Sequence, residues 1–335
     1  MRKHSISILT IISCLLILAA PAFAGGGQED DRTITIGISK IVAHPALDAV
    51  EQGIQDELAE QGFEDVNYDL QNANGDANTA MQIANKFEQD NVDVAVGIAT
   101  PTAQALVSAI DDAPIVFSAV TDPVDAGIVG TLDGDGSNVT GLSDMTPVQQ
   151  QIEFLASLAD IQSLGHVYSS SEANAVALAA AAEAACEELG IEFVVATVQN
   201  SSEVRQATQS IVDRVDGIYI STDNTVVSAL NSVTDVAMNA GIPVMSADPS
   251  SAETYDVIAA WGFDYYSAGR ITGRMIADIL NGADPGTMPT AFITEPSDVN
   301  MLLNLDVANQ LGISFPQNAI ENASTLVRDG EVIRQ

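Results

Sequence analysis

The 335-residue sequence predicts an α/β protein of two doubly wound parallel-sheet lobes joined by a multi-strand hinge. Three observations carry that expectation. Short apolar runs alternate with amphipathic stretches of helical period from residue 33 onward. The alternation breaks once, around 133–141, and restarts with similar order and lengths. Four apolar runs also end abruptly in clusters of Ser, Thr, Asp and Pro: 92–99 into Thr100, Pro101 and Thr102; 115–117 into Ser118, Thr121 and Asp122; 217–220 into Ser221, Thr222, Asp223 and Asn224; and 243–245 into Ser246, Asp248 and Pro249. Ligands of parallel sheets sit outside the carboxyl ends of the strands, where such side chains and free helix N–H groups converge. Two clusters in each half predict one small polar ligand held between two similar lobes.

Each element has a local reason. Residues 33–38 alternate β-branched residues as a first strand. A helix at 45–61 carries Ala46, Val50, Ile54 and Leu58 at helical spacing, and Gly62 ends it. Strand 67–70 runs into the turn of Asn72, Asn74, Gly75 and Asp76. Helix 79–90, strand 92–99, helix 102–111 and strand 114–117 complete the first round. The second round comprises helix 147–159, strand 165–168, helix 174–189, strand 192–196, helix 202–214, strand 217–220, helix 225–239 and strands 243–245 and 257–262. The tail segments 265–281, 290–294 and 300–311 must return across the hinge. The expected N-terminal lobe is 33–142 with about 264–293, and the C-terminal lobe is 143–263 with about 294–335.

Residues 1–24 read as an export signal. Arg2, Lys3 and His4 precede an apolar run from Ile6 to Ala20, and Ala22, Phe23 and Ala24 form a cleavage site. A flexible leader, 25–32, would follow. Lipidation at Cys14 is the weaker reading, because strongly apolar residues follow that cysteine. No later stretch reaches the roughly 20 apolar residues of a membrane span. The expected location is the periplasm or the outer face of the cytoplasmic membrane. Cys186 alone would survive cleavage, so no disulfide forms within the mature chain.

The chain carries 11 basic and 46 acidic residues, a net charge of −35, which makes nucleic acid and anionic membrane poor partners. Acidic residues are spread over helix faces (Glu51, Asp56, Glu57 and Glu60, for example) rather than run in one block. Self-repulsion at this density points to a saline habitat, where salt screens it. Enzyme chemistry finds little support. Only His44 and His166 remain after cleavage, no G-x-S-x-G elbow or phosphate-binding glycine loop is present, and one Cys with two distant His cannot close a zinc site. Asp133, Asp135, Ser137 and Asp144 have calcium-loop spacing, but Asn138 stands where such a loop needs glycine, so a plain acidic turn is favoured. No cofactor or metal is expected. The alternative function is an exported α/β hydrolase-type enzyme using cleft carboxylates.

Seven segments together resemble a known family: 44–48 (His44 to Asp48), 99–104, 117–123, 138–147, 170–174, 222–225 and 262–270. They are similar to the substrate-binding proteins of ABC importers, the family that includes tryptophan- and tyrosine-type binders. The likeness runs from 33 to 315. It implies a type I periplasmic-binding-protein fold whose two lobes, linked by three crossovers, close on a ligand and dock on a membrane permease. The implied ligand is an amino acid, an aromatic one favoured, and the chain is expected to be a monomer.

A zwitterion needs donors for its carboxylate and acceptors for its ammonium. Thr100, Thr102, Ser118 and Thr121 are the donor candidates of the first lobe, and Ser170, Ser171 and Thr222 those of the second. Asp144, Asp223 and Asp248 are candidates for the ammonium, with Asn174 and Asn224 as adaptable partners. Helix capping competes with binding at every one of these positions. Tyr265 or Phe263 could supply an aromatic wall, whereas Phe117 and Trp261 suit core packing. His44 either overhangs the cleft mouth or, beside Pro45, merely starts a helix.

Overall fold

In the computed structural model, which describes residues 33–335, the alternating apolar runs build two parallel sheets. The expected export signal, the leader and Cys14 lie outside the described residues. The first round gives β1 (Thr35–Lys40), α1 (Pro45–Glu60), β2 (Asn67–Asn72), α2 (Ala77–Asp90), β3 (Val94–Ile98), α3 (Thr100–Ala109), β4 (Ile115–Val120) and β5 (Val139–Ser143). The second gives α4 (Val148–Leu158), β6 (Ser163–Ser169), α5 (Ala173–Leu189), β7 (Glu192–Val198), α6 (Val204–Ile211), β8 (Gly217–Ile220), α7 (Asn224–Val227), α8 (Leu230–Ala240), β9 (Val244–Ser246), α9 (Pro249–Ala252) and β10 (Ala259–Phe263). The tail adds α10 (Tyr265–Leu280), β11 (Ala291–Phe292), β12 (Val299–Asn304), α11 (Leu305–Leu311), α12 (Gln317–Asn322), β13 (Thr325–Arg328) and β14 (Glu331–Arg334).

Strand order in the first sheet is β11-β5-β4-β3-β1-β2, and in the second β14-β13-β12-β10-β9-β8-β6-β7. With the tail strands set aside, both sheets have one and the same order. It reverses between β1 and β3 in one lobe and between β6 and β8 in the other, the positions where such sheets open a ligand crevice. Strands β3, β4 and β5 are buried along their whole length, as expected of strands covered by helices on both faces.

The chain passes between the sheets three times, after β5, after β10 and between β11 and β12. The second passage places α10 against α1 of the first lobe. A Cβ on Gly53 would lie 2.3 Å from the Tyr266 carbonyl oxygen, and one on Gly269 would lie 2.3 Å from that of Val50. The two helices therefore touch backbone to backbone. Returning tail strand β12 runs antiparallel to β10, and β13 and β14 form an antiparallel hairpin turning at Asp329 and Gly330.

Two local differences from the sequence reading shape the cleft. The single helix expected at 225–239 is broken into α7 and α8 around Ser228 and Ala229. There the Ser228 hydroxyl donates back to the Thr225 carbonyl, a local bond that competes with helix continuation. Strand β4 runs past its expected end to Val120 because Ala119 adopts a φ of 54°, and the register with β5 shifts there. This bulge re-aims the end of the strand. In the acidic turn, Asp135 accepts from the Gly130 and Ser137 N–H groups, so its oxygens serve the turn itself.

Candidate functional site

A cavity opens between the carboxyl ends of the two sheets. From the first lobe it receives His44, Ala46 and Leu47 at the start of α1, and Ala119 from the bulge in β4. Asp144 enters just after β5, and Tyr265, the first residue of α10, enters after the second passage. The second lobe contributes Asn174 from the first turn of α5, Thr222, Asp223, Asn224 and Val227 from the end of β8 and from α7, and Asp248 after β9. Strand ends supply every polar wall of this chamber.

The carboxylates divide into spent and available oxygens. Asp223 caps α7 by accepting from the Val226 N–H (2.9 Å), and its other oxygen accepts from the Ser169 N–H (2.5 Å). Burial and the neighbouring Glu172 charge push the Asp223 pKa up, while these N–H groups oppose the rise. Asp248 caps α9 through Oδ1 (Ser251 N–H, 3.2 Å), but its Oδ2 has no partner among the described residues. Asp144 accepts from the Tyr265 hydroxyl through Oδ2 (2.9 Å), and its Oδ1 is likewise unpaired. Burial raises Asp144 to about 6, against the pull of the Tyr265 hydroxyl.

Three further polar atoms on the wall lack partners among the described residues: Asn174 Oδ1, Thr222 Oγ1 and His44 Nε2. Asn174 is fixed by its amide donating to the Thr222 carbonyl oxygen at 3.1 Å. Burial lowers the His44 pKa, opposed by the charges of Asp248 and Asp48. A buried polar atom without a partner costs roughly 1–3 kcal/mol. Five around one chamber describe a surface completed by something bound. No Lys or Arg lines the cavity among the described residues.

Of the twelve candidates from sequence, Asp144, Asn174, Thr222, Asp223, Asn224 and Asp248 meet on this wall, and six do not. Thr102 turns its hydroxyl back to the Ile98 carbonyl (2.7 Å), fixing the β3–α3 turn. Ser118 lies inside the lengthened β4 and pairs with Thr272 of α10 at 2.7 Å. Thr100 is buried at the start of α3, away from the lining. Thr121 is buried beside Asp144, and its carbonyl accepts from Ser143. Ser170 and Ser171 face solvent and bond to Gln199 and Ser169. Asn224 lines the cavity while its amide serves the buried Glu172 at 2.6 Å. Tyr265 faces the cavity, whereas Phe117, Trp261 and Phe263 do not line it. Leu47, Ala119 and Val227 were not among the site candidates from sequence; apolar residues near strand ends carry no signal that separates cleft from core.

The family described as ABC transporter substrate binding protein matches this chain over residues 35–327. A tyrosine-binding protein of Clostridioides difficile is 34% identical over 287 residues, covering 84% of this chain and 82% of that protein. An ABC domain from Streptococcus pneumoniae, solved in complex with L-Trp, is 32% identical with a TM-score of 0.84, covering 88% of this chain and 100% of that one. The ligand-free, open structure of a substrate-binding protein with adhesive properties from Clostridium difficile is 37% identical, covers 88% and 99%, and has a TM-score of 0.66. The open structure is nearer in sequence yet superposes less well. The lobes here stand closer to the arrangement of the L-Trp complex.

Proposed function

The chain belongs to the family of ABC transporter substrate-binding proteins, and from that premise we propose that it captures an aromatic α-amino acid, tyrosine or tryptophan, for delivery to its membrane permease. The protein is a binder and not an enzyme, which sets the hydrolase alternative aside, and its family works outside the cytoplasm. Its fold is that of type I periplasmic binding proteins.

One observation carries the ligand class. The cavity offers unpaired acceptors at Asp248 Oδ2, Asp144 Oδ1 and Asn174 Oδ1, with no Lys or Arg on its lining among the described residues. The guest must bring the positive charge itself. An ammonium fits, because it donates three hydrogen bonds and balances a buried carboxylate that would otherwise be costly. Tyr265, Leu47 and Val227 offer the apolar wall for a ring.

Capture proceeds by hinge closure: the ligand binds one lobe, and the second lobe then shuts over it. The closed protein is the form the permease reads. Lobes of 33–142 with about 264–293 and 143–263 with about 294–335 move as the two jaws. The mature protein begins at Gly25, without a lipid on Cys14, and is a monomer in the periplasm or at the outer face of the cytoplasmic membrane. Isothermal titration with aromatic and aliphatic amino acids, sugars and nucleosides tests the ligand class. One-to-one binding of L-tyrosine or L-tryptophan is expected, and a response to sugars or nucleosides alone would overturn the reading.

A further inference from the structure

We infer that the carboxylate of the bound amino acid is held at the open N-terminus of α1, by the N–H groups of Ala46 and Leu47 together with His44 Nε2, so that this end of the cavity selects the zwitterion over the corresponding amine. This assignment rests on the amino-acid reading above. Helix α1 is 16 residues long, and its N-cap residue His44 makes no side-chain cap. Pro45, at the first helical position, has no N–H to offer. Among the described residues, no oxygen accepts from the N–H groups of Ala46 or Leu47, and both residues line the cavity. Of the other helices beside the same cavity, α7, α9 and α10 have their first turns closed by Asp223, Asp248 and Asp264, while α5 also lacks a side-chain cap but starts beside the Glu172 carboxylate, which disfavours an anion there. An uncapped first turn presents free donors and the positive end of the helix dipole.

An independent feature points the same way. His44 Nε2 is buried and unpartnered on the cavity wall, while Nδ1 lies 3.5 Å from the Ser251 hydroxyl of α9 in the opposite lobe. A neutral imidazole has one donor and one acceptor nitrogen. In the tautomer in which the Ser251 hydroxyl donates to Nδ1, the proton resides on Nε2 and faces the cavity as a donor, and this is the tautomer the assignment requires. Charge sorting completes the picture. Asp248 and Asp144, 2% and 3% exposed with unpaired oxygens on the same wall, repel a carboxylate and attract the ammonium. The ligand carboxylate is the charge that the free donors of the α1 first turn suit.

Calorimetric titration of L-tyrosine and of tyramine, which lacks only the carboxylate, tests the assignment on the wild type and on His44→Ala. If L-tryptophan is the ligand, tryptamine takes the place of tyramine. The amine should bind at least 100-fold more weakly than the amino acid. His44→Ala should weaken the amino acid tenfold or more and the amine by clearly less. Equal affinity for amine and amino acid, or an equal loss for both in the variant, would overturn the assignment. His44→Gln, which keeps a side-chain donor, should recover part of the loss. Should a variant fail to fold, the wild-type comparison alone decides. If the wild type binds neither L-tyrosine nor L-tryptophan, the amino-acid reading has failed and the assignment falls with it.

Discussion

Replacing Asp248 by Asn changes one atom on the cavity wall and leaves the fold around it intact. Asp248 Oδ1 accepts from the Ser251 N–H at 3.2 Å, and an Asn amide oxygen can keep that bond, since Asn caps helices about as well as Asp. The stability cost should stay below about 0.5 kcal/mol. On the ligand side, the unpaired Oδ2 becomes an NH2 group, a donor facing the donors of the ammonium. A hydrogen bond to a charged group contributes roughly 1.5–3 kcal/mol, which converts at 1.4 kcal/mol per decade to a loss of about 10- to 100-fold. Asp144 Oδ1 and Asn174 Oδ1 remain as acceptors and hold the loss to that range. Asp223→Asn is the internal control. Both of its oxygens already hold backbone N–H groups, so the variant should lose stability, by about 1–3 kcal/mol, more than it loses affinity. Calorimetric titration with L-tyrosine and L-tryptophan, paired with urea unfolding, reads both quantities. Unchanged affinity in Asp248→Asn, or a larger affinity loss in Asp223→Asn, would refute the division of oxygens into spent and available.

Three other outcomes are expected. Because burial raises Asp144 to about 6, its charge is present above that pH and lost below it; affinity for an ammonium ligand should fall as pH drops from 7 through 6, and a flat titration series would remove Asp144 from the site. His166, packed among the rings of Tyr168, Phe193 and Tyr219, is depressed to about 4 by burial. Above pH 6.5 it is neutral in both folded and unfolded chains, but between 6.5 and 4 only the unfolded chain takes up the proton, so stability should fall by roughly 3 kcal/mol across that window. Urea unfolding of His166→Phe should show a shallower acid loss than the wild type, and parallel curves would contradict the cause. With a net charge of −35, the melting temperature should climb from dilute buffer to molar NaCl, and a level series would reject self-repulsion as a limit on stability.

Much of this arrangement was readable from strand ends. Asp144, Asn174, Thr222, Asp223, Asn224 and Asp248 follow strands of a doubly wound sheet, and that topology alone directs them to one crevice. What each side chain does there was not readable. Asp223 and Asp248 are both N-caps in the same kind of loop, yet the approach of the Ser169 N–H from β6 consumes the second oxygen of one, and nothing among the described residues consumes that of the other. Ser118 left the cleft because β4 continues through it and turns it toward Thr272, a residue 154 positions away. The bulge that lengthens β4 depends on a positive φ at Ala119, which an alanine does not announce. Tyr265 reaches the cavity because α10 crosses back to lie flat on α1, and that packing is set by glycines on both helices rather than by any pattern around the tyrosine.

A crystal structure of the protein with L-tyrosine or L-tryptophan tests the zwitterion site most directly. The ligand should lie between the two sheets, its ammonium within hydrogen-bonding distance of Asp248 Oδ2 and its carboxylate over the first turn of α1. A ligand bound elsewhere, or one whose ammonium points away from Asp248, Asp144 and Asn174, would contradict it.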